Sequence, residues 1–305
     1  LRPRRSPDPT HLTMMLLRRH PLAFHDLSRG GLTWRRIRRM PGPMIGAGVL
    51  LALILVALFA PLLAPHDPIR GQAIDIRTVP GDRFLLGADH AGRDVLSRLI
   101  YGARISLSIG LVVQSVALVL GTSLGLAAGY FGGRVDDLVS GVVVVLQAFP
   151  GFLLAIAVAA ALEPGLLNLY IALGLVGWPG ICRLVRGETL ALKQRQFVEA
   201  ARAVGSPERR ILLRHILPNC LGPVIVIVTL GAAGTILVEA ALSYLGLGTQ
   251  PPTPSWGSML AAGLPYIQTA PWLTVFPGLA IFLTILSLNL LGDGLRDVWD
   301  PRLRR

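Results

Sequence analysis

Six apolar runs, near residues 43–64, 103–130, 137–162, 166–182, 221–245 and 273–295, constrain this chain more tightly than anything else in its sequence. A bilayer core about 30 Å thick is crossed by roughly 20 consecutive apolar residues in a helix. In lipid, every backbone N–H and C=O needs a partner inside the spanning structure, which leaves helices or closed barrels. Runs of this length have helical dimensions. The composition agrees: the chain is 52% hydrophobic and 15% charged, with a mean hydropathy of +0.60, whereas a soluble domain carries about 25% charged residues. The expected fold class is an all-α membrane protein with six transmembrane helices. Residues 1–42 read as a basic cytoplasmic N-terminal tail, 43–295 as the membrane domain and 296–305 as a cytoplasmic C-terminal tail. The first long apolar run reads as a span, so no cleaved signal peptide is expected.

The net charge of +12 raises the question of nucleic acid, and its distribution answers it. Arginines crowd the segment before the first run, the segment between the fourth and fifth runs, and the extreme C-terminus. By contrast, residues 246–272 contain no charged residue, and residues 65–98 balance five arginines against five aspartates. With six spans, every Arg-rich segment falls on one side of the membrane. That is the positive-inside pattern, and it places both termini in the cytoplasm. The basicity reports orientation and attraction to anionic membrane lipids, and no nucleic-acid partner is expected. The stretch from Trp34 to Met40 is expected to lie at the membrane interface.

Between the fourth and fifth runs, residues 183–220 form a polar interruption that contains EAARAVGSPERRILLRHILPN, Glu199 to Asn219. Phe197, Ala200, Ala201 and Val204 recur at helical spacing and give a short apolar stripe. Gly205 suits a left-handed helix end, and Ser206 with Pro207 suits the start of a second helix. That second helix is expected over about residues 207–217, with Ile211, Leu212 and Ile216 on one side, and Pro218 with Asn219 breaking it before the fifth span. The unit is too rich in arginine to enter lipid. It must project into the cytoplasm, where its apolar stripe needs a groove to fill.

Glu199-Ala200-Ala201, Gly205 and Leu217-Pro218 resemble the EAA loop of the membrane subunits of ABC importers. LGADHAGRDVLSRLIYGARISL (86–107), AFPGFLLAI (148–156), EAALSYLGLG (239–248) and NLLGDGLRDVWDPR (289–302) resemble the C-type permease of dipeptide, oligopeptide and nickel importers. The resemblance implies that the loop forms a coupling helix docked on a cytoplasmic ATPase subunit, through Phe197, Glu199, Ala200, Ala201, Val204, Gly205, Ile216, Leu217 and Pro218. It further implies a B-type permease partner, two ATPase subunits and an external substrate-binding protein, with small peptides, or related solutes such as nickel, as cargo. At the position two before Leu217-Pro218, where the family pattern has Ile, this chain has His215.

Lys193 is the only lysine, and no G-x-x-x-x-G-K-[ST] surrounds it, so the chain has no P-loop for nucleotide phosphates. No cofactor is expected on this chain; ATP and Mg belong on partner subunits. No catalytic constellation or metal site is expected either, and Cys182 and Cys220 read as small apolar fillers.

Within the runs, Gly121, Gly125 and Gly129 form a small-residue stripe that lets a second helix approach, in this chain or in a partner permease. Pro150 and the Trp178-Pro179 pair are expected to kink their helices. Glu239 is an intramembrane carboxylate, a functional candidate by default, with Arg104 as its expected partner. It reads either as structural support or as part of the path or gate, together with Gln147, Pro150 and Asn289. Asp293, Arg296 and Asp297 read as a charge network at the inner boundary. The long loops 65–98 and 246–272 read as external binding surfaces or as a structural cap. A rival reading is an ion-coupled secondary transporter that uses Glu239 as proton carrier, although no inverted halves are evident.

Overall fold

A computed structural model describes residues 40–299; most of the tails expected at residues 1–42 and 296–305, and of the interfacial stretch from Trp34, lies outside the described residues. In chain order the helices are α1 (Pro41–Leu58), α2 (Ala60–Leu63), α3 (Val95–Phe131), α4 (Gly133–Gln147), α5 (Gly151–Ala161), α6 (Leu166–Lys193), α7 (Gln196–Ala203), α8 (Glu208–Arg210), α9 (Leu217–Tyr244), α10 (Trp256–Gly263) and α11 (Trp272–Trp299). Among the described residues the strand content is one isolated antiparallel bridge, Ala88 to Asp94.

Five helical stretches are long and apolar enough to cross a membrane: α1, α3, α6, the run Glu208–Tyr244, and α11. Where the sixth span was expected, α4 and α5 meet at 89°, the geometry of a broken span or of a re-entrant loop. Pro150 forces the break. The residue before a proline is driven out of the helical region, and Pro150 itself is extended at ψ 123°, with its carbonyl accepting the Leu154 N–H to start α5. At 1.5 Å per residue, α4 and α5 alone reach only about 22 and 16 Å, short of a bilayer core. The kink expected at Pro150 is therefore a right-angle turn.

Two other expected boundaries move. The fourth helix does not end near residue 182 but runs on to Lys193, with Pro179 inside it. Arg186 supports this extension by donating two hydrogen bonds, of 2.5 and 2.6 Å, to the Asp136 carboxylate of α4. Nor does the chain break at Pro218. Helix runs continuously from Glu208 to Tyr244, with a π-helical segment at Ile211–Ile216. Proline lacks an N–H and collides with the carbonyl one turn earlier. A π turn widens the helix at that point: the Leu217 N–H reaches the Leu212 carbonyl, five residues back. The Asn219 side chain adds a 2.7 Å bond to the His215 carbonyl.

The glycine stripe of α3 packs against α6 of the same chain. A Cβ on Gly121 would lie 2.7 Å from Ile181 Cβ, one on Gly125 2.6 Å from the Cys182 carbonyl oxygen, and one on Gly129 2.7 Å from Thr189 Cβ. Backbone-to-backbone contact of this kind is how helices pack in lipid, where the hydrophobic effect gives no help. Gly125→Val is expected to force the two helices apart and cost about 1–3 kcal/mol, seen as a lower Tm of the purified chain, whereas Gly141→Val, where nothing lies within 4 Å, leaves Tm unchanged.

The segment between α2 and α3 holds one 3-10 turn, Ala73–Asp75, and the Ala88–Asp94 bridge, and is otherwise fixed by side chains. Asp75 accepts two hydrogen bonds from Arg83, at 2.5 and 2.9 Å, and Arg93 donates to Asp89 at 2.8 Å. Arg98, almost wholly buried, donates to the Pro68 carbonyl at 2.8 Å and to the Pro252 carbonyl at 3.5 Å, tying both long loops to the head of α3. Asp94 caps α3 by accepting from the Ser97 N–H and hydroxyl.

Candidate functional site

The Arg-rich interruption folds as a compact helical unit at one end of the bundle. α7 ends in a Schellman motif: the Ser206 N–H bonds the Ala201 carbonyl and the Gly205 N–H bonds the Arg202 carbonyl, with Gly205 at φ +78°. Ser206 makes no side-chain cap; the helical run begins at Glu208, and the Pro207 carbonyl receives its first bonds. Val198 is fully buried on Ile211, Ile216 and Cys220, which anchors α7 to the root of α9. With that side fixed inward, the other side faces out. Phe197 is 41% and Val204 86% exposed, Glu199, Ala200, Gly205 and Pro218 are exposed, and Ala201 and Leu217 are half-buried. Ile216 is fully buried, so it holds the unit together from within.

The sequence reading missed two residues here. Val198 lies one position off the stripe and was legible only from which face turns inward. Tyr130, at the end of α3, is 4% exposed and joins three elements. Its hydroxyl donates to Glu208 of α8. Its ring lies beneath Lys193 of α6 and Arg202 of α7, each 5.5 Å from the ring centre, a placement that favours cations electrostatically. Its backbone carbonyl accepts a 2.5 Å bond from Lys193 Nζ. The chain's single lysine thus ties α6 to α3 beside the projecting unit.

Within the membrane, Glu239 of α9 is fully buried, and the Arg104 partnership expected from the sequence is absent. Glu239 Oε1 accepts hydrogen bonds from Ser243 at 2.8 Å and Ser255 at 3.0 Å. Arg104 is exposed on another face, beside a cavity walled by α1 and α9. The two were placed together on depth alone, and depth says nothing about which way a helix turns. Ser255 also caps α10, and a Cβ on Gly257 would lie 2.7 Å from Ala240 Cα and 3.0 Å from both Glu239 oxygens. Trp256 completes the seat, its N–H on Ser106 Oγ and its indole N–H on the Leu99 carbonyl. The uncharged loop is therefore pinned into the bundle through Glu239.

Gln147 and Pro150 are exposed at the right-angle turn between α4 and α5, and Asn289 is half-buried on α11. Asp293, Arg296 and Asp297 make no ion pair among the described residues. No cluster of three metal-ligating side chains occurs among the described residues. Cys182 and Cys220 are buried and free.

A bundle long enough to cross a bilayer, with a projecting helical unit that leaves an apolar face open, defines a class: a membrane-embedded helical subunit with a surface free for another protein. The fold is similar to that of a chain of the MetNI methionine ABC transporter, solved in inward facing conformations, with a TM-score of 0.53 at 19% identity over 67% of this chain and 98% of that one. The chain belongs to the family of binding-protein-dependent transport system inner membrane components, whose model matches residues 121–305. Residues 28–80 match the N-terminal TM domain of oligopeptide transport permease C. Relatives include the dipeptide transport system permease protein DppC of Alkalihalophilus pseudofirmus, 42% identical over 89% of both chains. The glutathione transport system permease protein GsiD of Escherichia coli is 46% identical over 89% of this chain and 90% of its own. The chain is thus a permease subunit of an ABC importer, a transport component and not an enzyme.

Proposed function

We propose that this permease forms half of a translocation pathway for small peptides, beside a B-type permease subunit, with two ATPase subunits in the cytoplasm and a substrate-binding protein outside. The relatives above, named for dipeptide and glutathione transport, support the solute class. The Arg-rich ends support an orientation with both termini in the cytoplasm. ATP and Mg sit on the ATPase subunits, and this chain binds no cofactor of its own.

The observation that carries the reading is the exposed apolar face of Phe197, Ala200 and Val204 on a unit bonded to α3 and α6 through Tyr130. A helix with one side buried in its own bundle and an apolar side left open fits a groove on a partner. ATP binding closes the two ATPase subunits, draws the projecting units of the two permeases together and turns the bundle from inward-open to outward-open. Peptide release from the binding protein, hydrolysis and resetting complete import.

Val204→Glu places a charge in that contact without touching the core of this chain. In proteoliposomes holding the full assembly, peptide uptake is expected to fall about tenfold, the equivalent of about 1.4 kcal/mol. Gly205→Pro is expected to act more severely, because proline is fixed near φ −65° and cannot adopt +78°. Normal uptake by both variants would refute the docking assignment. The ion-coupled alternative finds little support in a Glu239 that is fully buried and held by two serines.

A further inference from the structure

Between α5, α6 and α9 lies a cavity of about 330 Å³ that none of the assignments above uses. Its polar lining includes Gln114 of α3 and Thr235 of α9. Gln114 stands 19 residues into a 37-residue helix, near the bilayer midplane, and is 93% buried at 7% exposure. It is the only carboxamide in the apolar run 103–130. Polar groups at this depth are costly and cluster at solute pathways.

The hydrogen bonding fixes which way the amide points. The Thr235 hydroxyl gives its one proton to the Gly231 carbonyl at 2.9 Å, so it can only accept from Gln114, and Gln114 Nε2 donates to it at 2.9 Å. That leaves the Gln114 carbonyl Oε1 and one N–H without partners among the described residues. A free acceptor and a free donor on one planar amide complement the N–H and C=O of a peptide group.

The walls suit the same ligand. Gly180 and Gly234 line the cavity with nothing within 4 Å of where a Cβ would stand, so helix packing in this chain does not require glycine there. Bare backbone widens the space. Gly231 is different: a Cβ there would lie 2.8 Å from Gln114 Oε1 and 2.9 Å from Nε2, so its absence is what lets the amide lie flat on α9.

We infer that Gln114, held by Thr235 against Gly231, is a midplane contact for the peptide group of the solute as it crosses. The inference rests on the peptide reading given above. It adds a specificity determinant inside the membrane, separate from whatever the binding protein selects.

The test compares a dipeptide with the same dipeptide N-methylated at its peptide bond, in proteoliposomes of the full assembly. Wild type and Gln114→Leu are each assayed with both. A preference of the binding protein acts equally on both permeases and cancels in the ratio of ratios. Wild type is expected to favour the parent dipeptide over its methylated form by about five- to tenfold more than Gln114→Leu does, the equivalent of one hydrogen bond. ATP hydrolysis by the variant assembly stays intact. Should Gln114→Leu fail to assemble, Gln114→Met, unbranched and of similar length, carries the same comparison. An identical methylation ratio in wild type and variant overturns the contact while leaving the peptide permease standing. Wild-type assemblies that import neither dipeptide overturn both.

Discussion

Tyr130→Ala abolishes coupling: peptide uptake by the reconstituted importer falls about a hundredfold while the assembly still hydrolyses ATP. Tyr130 is where α3 meets α6, α7 and α8. Removing a buried aromatic ring costs about 3–5 kcal/mol of packing, and here the loss also releases Glu208 and leaves Lys193 and Arg202 without the ring between them. Tyr130→Phe is the sharper probe. It keeps the ring and both cations but removes the hydroxyl bond to a carboxylate, an interaction of about 1.5–3 kcal/mol, so uptake falls by about tenfold or more. Glu208→Gln is expected to weaken the same bond, and combining it with Tyr130→Phe adds little, because both changes remove one interaction. Additive losses, or ATP hydrolysis falling in step with uptake, would show that Tyr130 serves folding and does not transmit motion.

The second large effect concerns Glu239. Glu239→Ala leaves the Ser243 and Ser255 hydroxyls without their acceptor and opens a hole beneath Gly257. Breaking a buried polar network from one side costs on the order of 3 kcal/mol, read as a lower Tm and as protease cleavage within residues 246–272. Glu239→Gln keeps an oxygen where both serines donate, so it is expected to support uptake near the wild-type rate. The two substitutions separate support from proton carriage. A carrier carboxylate fails in both, and loss of uptake in a well-folded Glu239→Gln would revive the ion-coupled alternative.

What could be read from the sequence follows from the range over which each signal acts. Apolar run length gave the helices, since a bilayer imposes its own thickness on any chain that crosses it. Gly205 was legible because a left-handed helix end is a local demand, and the structure has φ +78° there. Helix ends near Arg183 and Pro218 were misplaced because tertiary partners override local breakers: Asp136 holds the extended α6 through Arg186, and a π turn accommodates Pro218. Glu239 stood out as an unusual residue, but its partners, Ser243 and the distant Ser255, emerge only when α10 folds back onto α9. Gln114 was passed over in the sequence, because its meaning depends on a threonine 121 positions away. Tyr130 offered no pattern at all, because its neighbours come from three separate segments.

The unbroken helical run from Glu208 to Tyr244 makes a strut of 37 residues, about 55 Å long. Its foot carries the carboxylate that grips Tyr130, and its head carries Glu239 and Ser243, which hold the outer cap. The π segment at Ile211–Ile216 with Pro218, and Pro223 a little further on, are the places where such a strut can bend, so motion entering at Glu208 reaches Glu239 only as far as these joints are stiff.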